Sequence, residues 1–166
     1  MQNKSYQLLN VGENCIFVKF GQEISPVIHK KVKRLSEYLE QNPFPGYIEF
    51  VATYTGTAVN YDPWVVKKKL AKKGETSFAA VGRLLEEYVQ KSELMPETAP
   101  NVVEIPVCYG GEYGPDLAYV AEYCHLTEEE VVKIHSSGEY LCYMIGFCPG
   151  FPFLGGMDSR IATPRR

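Results

Sequence analysis

Residues 91–100, Lys-Ser-Glu-Leu-Met-Pro-Glu-Thr-Ala-Pro, carry two prolines and no hydrophobic periodicity, and they limit the fold more than any other stretch. Such a segment continues neither a helix nor a strand. It divides the 166 residues into an N-terminal domain, 1–92, and a C-terminal part, 101–166. At about 150 residues per domain the length alone allows one domain or two small ones; the break favours two. The 45% hydrophobic and 22% charged composition is ordinary for a globular chain and suffices for a core without metal or disulfide staples. Seventeen Lys and Arg stand against twenty Asp and Glu. The basic surplus of a phosphate-backbone binder is missing, which argues against a nucleic-acid partner.

The cysteines Cys15, Cys108, Cys124, Cys142 and Cys148 are odd in number and form no C-x-x-C pair. They read as reduced thiols, not as a disulfide framework or a zinc site. Met1-Gln-Asn-Lys leads into only a short apolar patch, without the pattern of a signal peptide. The densest late apolar run, 140–147, falls far below the roughly 18 residues of a membrane span. A cytoplasmic protein with no membrane partner is the expectation.

In the first part, 6–9 and 15–20 read as strands around Gly12-Glu13-Asn14, with Ile16, Val18 and Phe20 on one face by alternation. Ser25-Pro26 opens a helix: Ser25 caps it, and Pro26 sits where a missing N–H costs little. Its apolar stripe is Val27, Ile28, Val32, Leu35 and Leu39; a basic face with His29, Lys30, Lys31, Lys33 and Arg34 covers the rest, and reads as a solvated face ahead of an anion site. Strands follow at 47–52 and 58–61. Asp62-Pro63 repeats the capped start, and Thr76 caps a further helix with Phe78, Val81, Leu85 and Tyr88 at helical spacing. The order β-β-α-β-β-α-α describes a small α+β domain.

Past the break, 102–107 reads as a strand, 108–114 as a glycine-rich turn and 115–123 as a helix. Thr127 and Glu130 form a capping box for a helix ending near Ser136. A strand is expected at 140–147, with an irregular tail from Cys148. The stretch from Gly146 to Asp158 holds four glycines, two prolines and three phenylalanines, a composition for a rigid loop whose backbone approaches a ligand or takes positive φ. A small-molecule pocket with apolar walls and a tight bend packed on a barrel end both account for it. Arg165-Arg166 is either a fork for a carboxylate or phosphate or a solvated charge pair. His135 is either a general base or a helix-end histidine that suits the dipole. No Walker motif occurs.

The stretch Gly146-Phe-Cys-Pro-Gly-Phe-Pro-Phe-Leu-Gly-Gly-Met-Asp158, followed by Ala162-Thr-Pro-Arg-Arg166, resembles the signature of the 5-oxoprolinase B-subunit family. That family is also known as allophanate hydrolase subunit 1, as a carboxyltransferase domain and as the sporulation-kinase inhibitor KipI. Ile105-Pro-Val-Cys-Tyr-Gly-Gly-Glu-Tyr-Gly-Pro-Asp-Leu117, Ile134-His-Ser136, Tyr140, Ile24-Ser-Pro26 and Tyr61-Asp-Pro63 fit it too. The resemblance implies an α+β chain: a small N-terminal α+β domain, then a cyclophilin-like β-barrel. It implies one component of a hydrolase that works with a homologous barrel protein, the C subunit, and with an A subunit. Using ATP and magnesium, the three would open 5-oxoproline to glutamate. Alternative implications are inhibition of a sensor histidine kinase by a KipI-like binding module, or a subunit of an allophanate/urea amide hydrolase. The resemblance assigns Gly150, Phe151, Gly155 and Gly156 as pocket backbone, Arg165 and Arg166 as anion contacts, and His135 as the catalytic candidate. Family members continue well past the Thr-Pro-Arg-Arg segment. Residues 101–166 are therefore expected to form an incomplete barrel, cut short or completed by a partner that pairs with its open edge, and inactive alone.

Overall fold

The computed structural model describes residues 5–165. The chain divides into two compact units, 1–97 and 98–166. In the first, β1 (Gln7–Asn10), β2 (Cys15–Lys19), β3 (Tyr47–Ala52) and β4 (Gly56–Tyr61) form one antiparallel sheet in the order β1-β2-β4-β3. Register places Leu8 beside Val18, and Ile16 beside Val59 beside Phe50. Because alternate residues of a strand share a face, these side chains all point to the same side. Helices α1 (Pro26–Gln41) and α3 (Ser77–Glu93) cover that side.

The helices bury what their spacing dictates. Val32, Leu35 and Leu39 of α1 and Val81, Leu85 and Val89 of α3 meet Ile16, Val18, Val59 and Tyr61 in one core. Each such side chain contributes about 1.5–3 kcal/mol by leaving water. Val27, expected on the stripe, is exposed; it lies in the first turn, beyond the edge of the sheet-facing arc. Tyr88 seals the far end by donating its hydroxyl to the Asn42 carbonyl at 2.9 Å.

All the predicted helix starts of this unit are in place. Ser25 Oγ accepts from the Val27 N–H, and Thr76 Oγ1 from the Ala79 N–H. Asp62 caps α2 (Pro63–Lys69), its Oδ1 accepting from the N–H groups of Trp64 at 2.8 Å and Val65 at 3.0 Å. Asp62→Ala strands both donors and is expected to lower the unfolding free energy by about 1 kcal/mol, with Asp62→Asn much closer to the parent. Urea titration of the two variants reads the difference.

The second unit holds α4 (Leu117–Cys124) and α5 (Glu128–Ser136), packed around Ala121, Val131 and Ile161. It also holds one antiparallel hairpin of β5 (Leu141–Ile145) and β6 (Pro152–Gly155). The capping box is present, Thr127 Oγ1 accepting from the Glu130 N–H and Glu130 Oε2 from the Thr127 N–H. The fold is α+β, and its second unit is an incomplete barrel with no closed sheet among the described residues.

Two expectations are corrected. Residues 102–107 form no strand: Val102 is 81% exposed, and Val103 and Ile105 are exposed as well. β-propensity needs a hydrogen-bonded neighbour to become a strand, and the described residues provide none there. Conversely, the tail from Cys148 is not irregular throughout, because Pro152–Gly155 pairs with β5. Pro152 stands at the first position of that edge strand, where a missing N–H breaks no ladder.

Candidate functional site

His135, Tyr109 and Tyr140 meet at the C-terminal end of α5. His135 lies in the last turn of that helix, and its Nδ1 is 2.6 Å from the Tyr109 hydroxyl oxygen. The two rings meet nearly perpendicular, at 78°. Tyr140 closes the other side: its ring lies 5.3 Å from the imidazole, and its hydroxyl donates to the His135 carbonyl at 2.8 Å. The helix end thus has a carbonyl satisfied by a side chain, and the histidine has two aromatic walls. The Tyr109 contact at Nδ1 leaves Nε2 as the ring nitrogen free to face a substrate. Partial burial and the neighbouring Tyr109 and Asp158 push the Tyr140 phenol up.

Gly155 and Gly156 adjoin the same end of the hairpin. Gly155 pairs with Leu141, and a Cβ there would come within 2.6 Å of the buried Tyr143 ring. Gly156 has φ +102°, and a Cβ on it would press on the Glu139 carbonyl. Both positions need glycine, the first for close approach and the second for its backbone conformation.

Gly150 and Phe151 sit elsewhere, in the turn between Ile145 and Pro152, on the order of 13 Å along the hairpin at strand rise. That turn is tied by Gly146 N–H to Phe151 O and Phe151 N–H to Cys148 O. Phe147, Phe151 and Phe153 stack edge to face along it. Phe147 is 91% exposed and holds φ +68°, a left-handed conformation that bulky residues seldom adopt. Phe147 and Phe151 therefore crown the hairpin tip in the open. Arg165 is exposed, and Arg166 lies outside the described residues.

Arg160 already has a partner. Its Nη2 is 2.7 Å from Asp158 Oδ2 and its Nε 3.1 Å from both carboxylate oxygens. The Asp158 Oδ1 also accepts from the Arg160 N–H, capping a short 3-10 turn. Hydrogen bonds from Arg160, first from its side chain and then its backbone, hold the Asp158 carboxyl down to about 2. A carboxylate whose folded value is depressed stabilises the fold above its ordinary value and loses that contribution as pH falls. The second unit is expected to weaken between about pH 4 and pH 2, and Asp158→Asn to flatten that window. Urea midpoints across pH 2–6 for parent and variant check it.

Sequence reasoning finds His135 and the glycine turn around Tyr109 as separate features, and it matches Tyr140 without a role. The contact between Tyr109 and His135, 26 positions apart, is a tertiary event with no spacing signature. The Asp158–Arg160 pair, two residues apart, is the more legible of the two.

The family model for the carboxyltransferase domain, subdomain C and D, matches residues 6–166. The chain belongs to this family. Among curated members of the family, the 5-oxoprolinase B subunit of Bacillus subtilis (strain 168) is 45% identical over 161 residues, 97% of this chain and 67% of that protein. The 5-oxoprolinase B subunit of Escherichia coli O157:H7 is 33% identical over 94% of this chain and 66% of its own length. The chain thus spans about two thirds of these carboxyltransferase-domain relatives. The solved structure of TTHA0988 matches 92% of this chain and 27% of its own, at 32% identity and a TM-score of 0.72. The K. lactis urea amidolyase, 16% identical with a TM-score of 0.60, covers 94% of this chain and 10% of its own, and shares the fold. No helix among the described residues is long and apolar enough to cross a membrane.

Proposed function

We propose that this chain acts as the B subunit of an ATP-dependent 5-oxoprolinase. Its partners in opening 5-oxoproline to glutamate are a homologous barrel protein, the C subunit, and an A subunit. The observation that carries this reading is the 45% identity, over 97% of the chain, to a protein named as a 5-oxoprolinase B subunit. The chemistry gives it physical content. A lactam is a resonance-stabilised amide and a poor electrophile. Transfer of the ATP γ-phosphoryl group to the amide oxygen, with ADP leaving, converts that oxygen into a leaving group. Water then adds to the ring carbon, the ring C–N bond breaks with the nitrogen leaving as the amine, and a second water hydrolyses the resulting acyl phosphate to glutamate and phosphate.

Positioning and charge stabilisation dominate such transfers. In this reading His135, held by Tyr109 and backed by Tyr140, moves a proton at Nε2. Backbone groups around Gly155 and Gly156 face the substrate near it, those at Gly150 and Phe151 serve a partner-completed part of the pocket, and Arg165 and Arg166 contact anionic groups. No group of three His, Cys, Asp or Glu side chains able to hold a metal ion occurs among the described residues. Magnesium enters as a companion of the ATP phosphates, retaining waters in its shell.

Reconstitution with the C and A subunits tests the proposal. The complete set is expected to hydrolyse ATP only when 5-oxoproline is present, and this chain alone to be silent. A complete, folded set with no 5-oxoproline-dependent turnover overturns it; turnover on allophanate in its place assigns the related amide substrate instead.

A further inference from the structure

The α1 face that the sequence presents as a solvated basic surface is partly a cleft. Lys30, Lys31 and Arg34 line it together with α3, in a volume of about 240 Å³. Phe20 and Val89 give it a buried apolar floor, and Val27 an exposed apolar lip. Glu93 is the acidic residue of the lining, so three cations face one acid. Val27 lies outside the hydrophobic core, and its side chain lines this cleft.

Two independent observations point to a carboxylate. Arg34 lines the cleft beside Lys30 and donates from Nη1 to the Glu93 carbonyl at 3.3 Å. A guanidinium is shaped for the paired oxygens of a carboxylate. At the rim, Lys30 Nζ holds Glu97 Oε1 at 2.7 Å, although the Glu97 side chain is 67% exposed and comes from the proline-rich connecting segment. The Lys30 hydrogen bond, with the charges of Lys30, Arg34 and Lys33, holds the Glu97 carboxyl below its ordinary range. The chain's own carboxylate thus samples the field of the cleft from outside, without filling its apolar floor.

We propose that the cleft between α1 and α3 binds a small carboxylic acid with an apolar body, and that Glu97 is its built-in competitor. The acid's head pairs with the Lys30 ammonium and the Arg34 guanidinium, and its body covers Phe20, Val27 and Val89. The site is independent of the reaction proposed above, since none of its residues belongs to the His135 cluster.

Benzoate and its neutral analogue benzamide, titrated into the whole chain and followed by amide cross-peaks in NMR, test the site. Benzoate is expected to shift the amides of α1 around Lys30 and Arg34 saturably, and benzamide to leave them in place. Glu97→Gln removes an exposed competing charge and should tighten the benzoate Kd about two- to fivefold. Arg34→Gln should weaken it about tenfold or more. The same spectra report whether Arg34→Gln folds; Glu97→Gln, at an exposed position, decides the matter if it does not. Equal shifts from benzamide, no saturable shift from benzoate, or an unchanged Kd in Glu97→Gln would each overturn the proposal.

Discussion

Gly56→Ala is expected to lower the unfolding free energy of the first unit by about 3 kcal/mol, a loss of about 1–2 M in urea midpoint. Gly56 opens β4, opposite Lys19 of β2. A Cβ there would lie 2.2 Å from the Val18 carbonyl oxygen and 2.7 Å from the Phe17 ring. The ring can swing, but the carbonyl belongs to the central ladder and moves only if the strands part. The turn allows little give: the Gly56 carbonyl accepts from both the N–H and the hydroxyl of Thr53, and the Gly56 N–H donates to that hydroxyl. Gly82→Ala makes the matched control. Gly82 lies inside α3, where a Cβ would meet Leu8 Cδ1 at 3.5 Å, an ordinary contact. There alanine removes the helical cost of glycine and should stabilise by up to about 1 kcal/mol. One chemical change thus carries opposite signs at two buried glycines. Destabilisation of equal size at both sites would mean that the close approach at Gly56 is misplaced.

The first unit is legible because its signals are local. Ser25-Pro26, Asp62-Pro63 and Thr76 state where helices begin through bonds that span only two or three residues, and the alternation of Ile16 and Val18 states which face of β2 is buried. The second unit depends on contacts that sequence spacing does not encode. Residues 102–107 have the composition of a strand, yet a strand exists only with a partner, and composition cannot report one. The hairpin strand β6 is hidden by Pro152 and the Gly155-Gly156 pair, residues that read as loop unless their edge position is known. The site divides along the same line. The stretch from Gly146 to Asp158 stands out in the sequence as unusual, but it places Gly155 and Gly156 next to residues 139–141 and sets Gly150 and Phe151 at the opposite end of the hairpin. Adjacency in the motif is not adjacency in space, because an intervening strand is extended.

If the proposed function holds, His135→Gln in the reconstituted set of this chain with its C and A partners is expected to lower kcat by about 10²–10⁴-fold, the range for loss of a positioned proton-transfer group. Tyr109→Phe should act through His135. Removing the hydroxyl 2.6 Å from Nδ1 leaves both rings their packing but frees the imidazole to exchange tautomers. Under the proposed function Tyr109 is a positioning residue, and its loss is expected to lower kcat about tenfold with the KM for ATP unchanged. Imidazole nitrogen shifts give the readout that a purely structural role would not move. The parent should show one dominant tautomer of His135 and Tyr109→Phe a mixture, with the amide spectrum of α5 otherwise preserved. Tyr140→Phe provides the contrast, since its hydroxyl bonds the His135 carbonyl and not the ring; it should loosen the end of α5 while leaving the tautomer intact. Full turnover in folded His135→Gln would make the Tyr109–His135 contact a clasp between the glycine-rich turn and α5, and would remove His135 from the chemistry altogether.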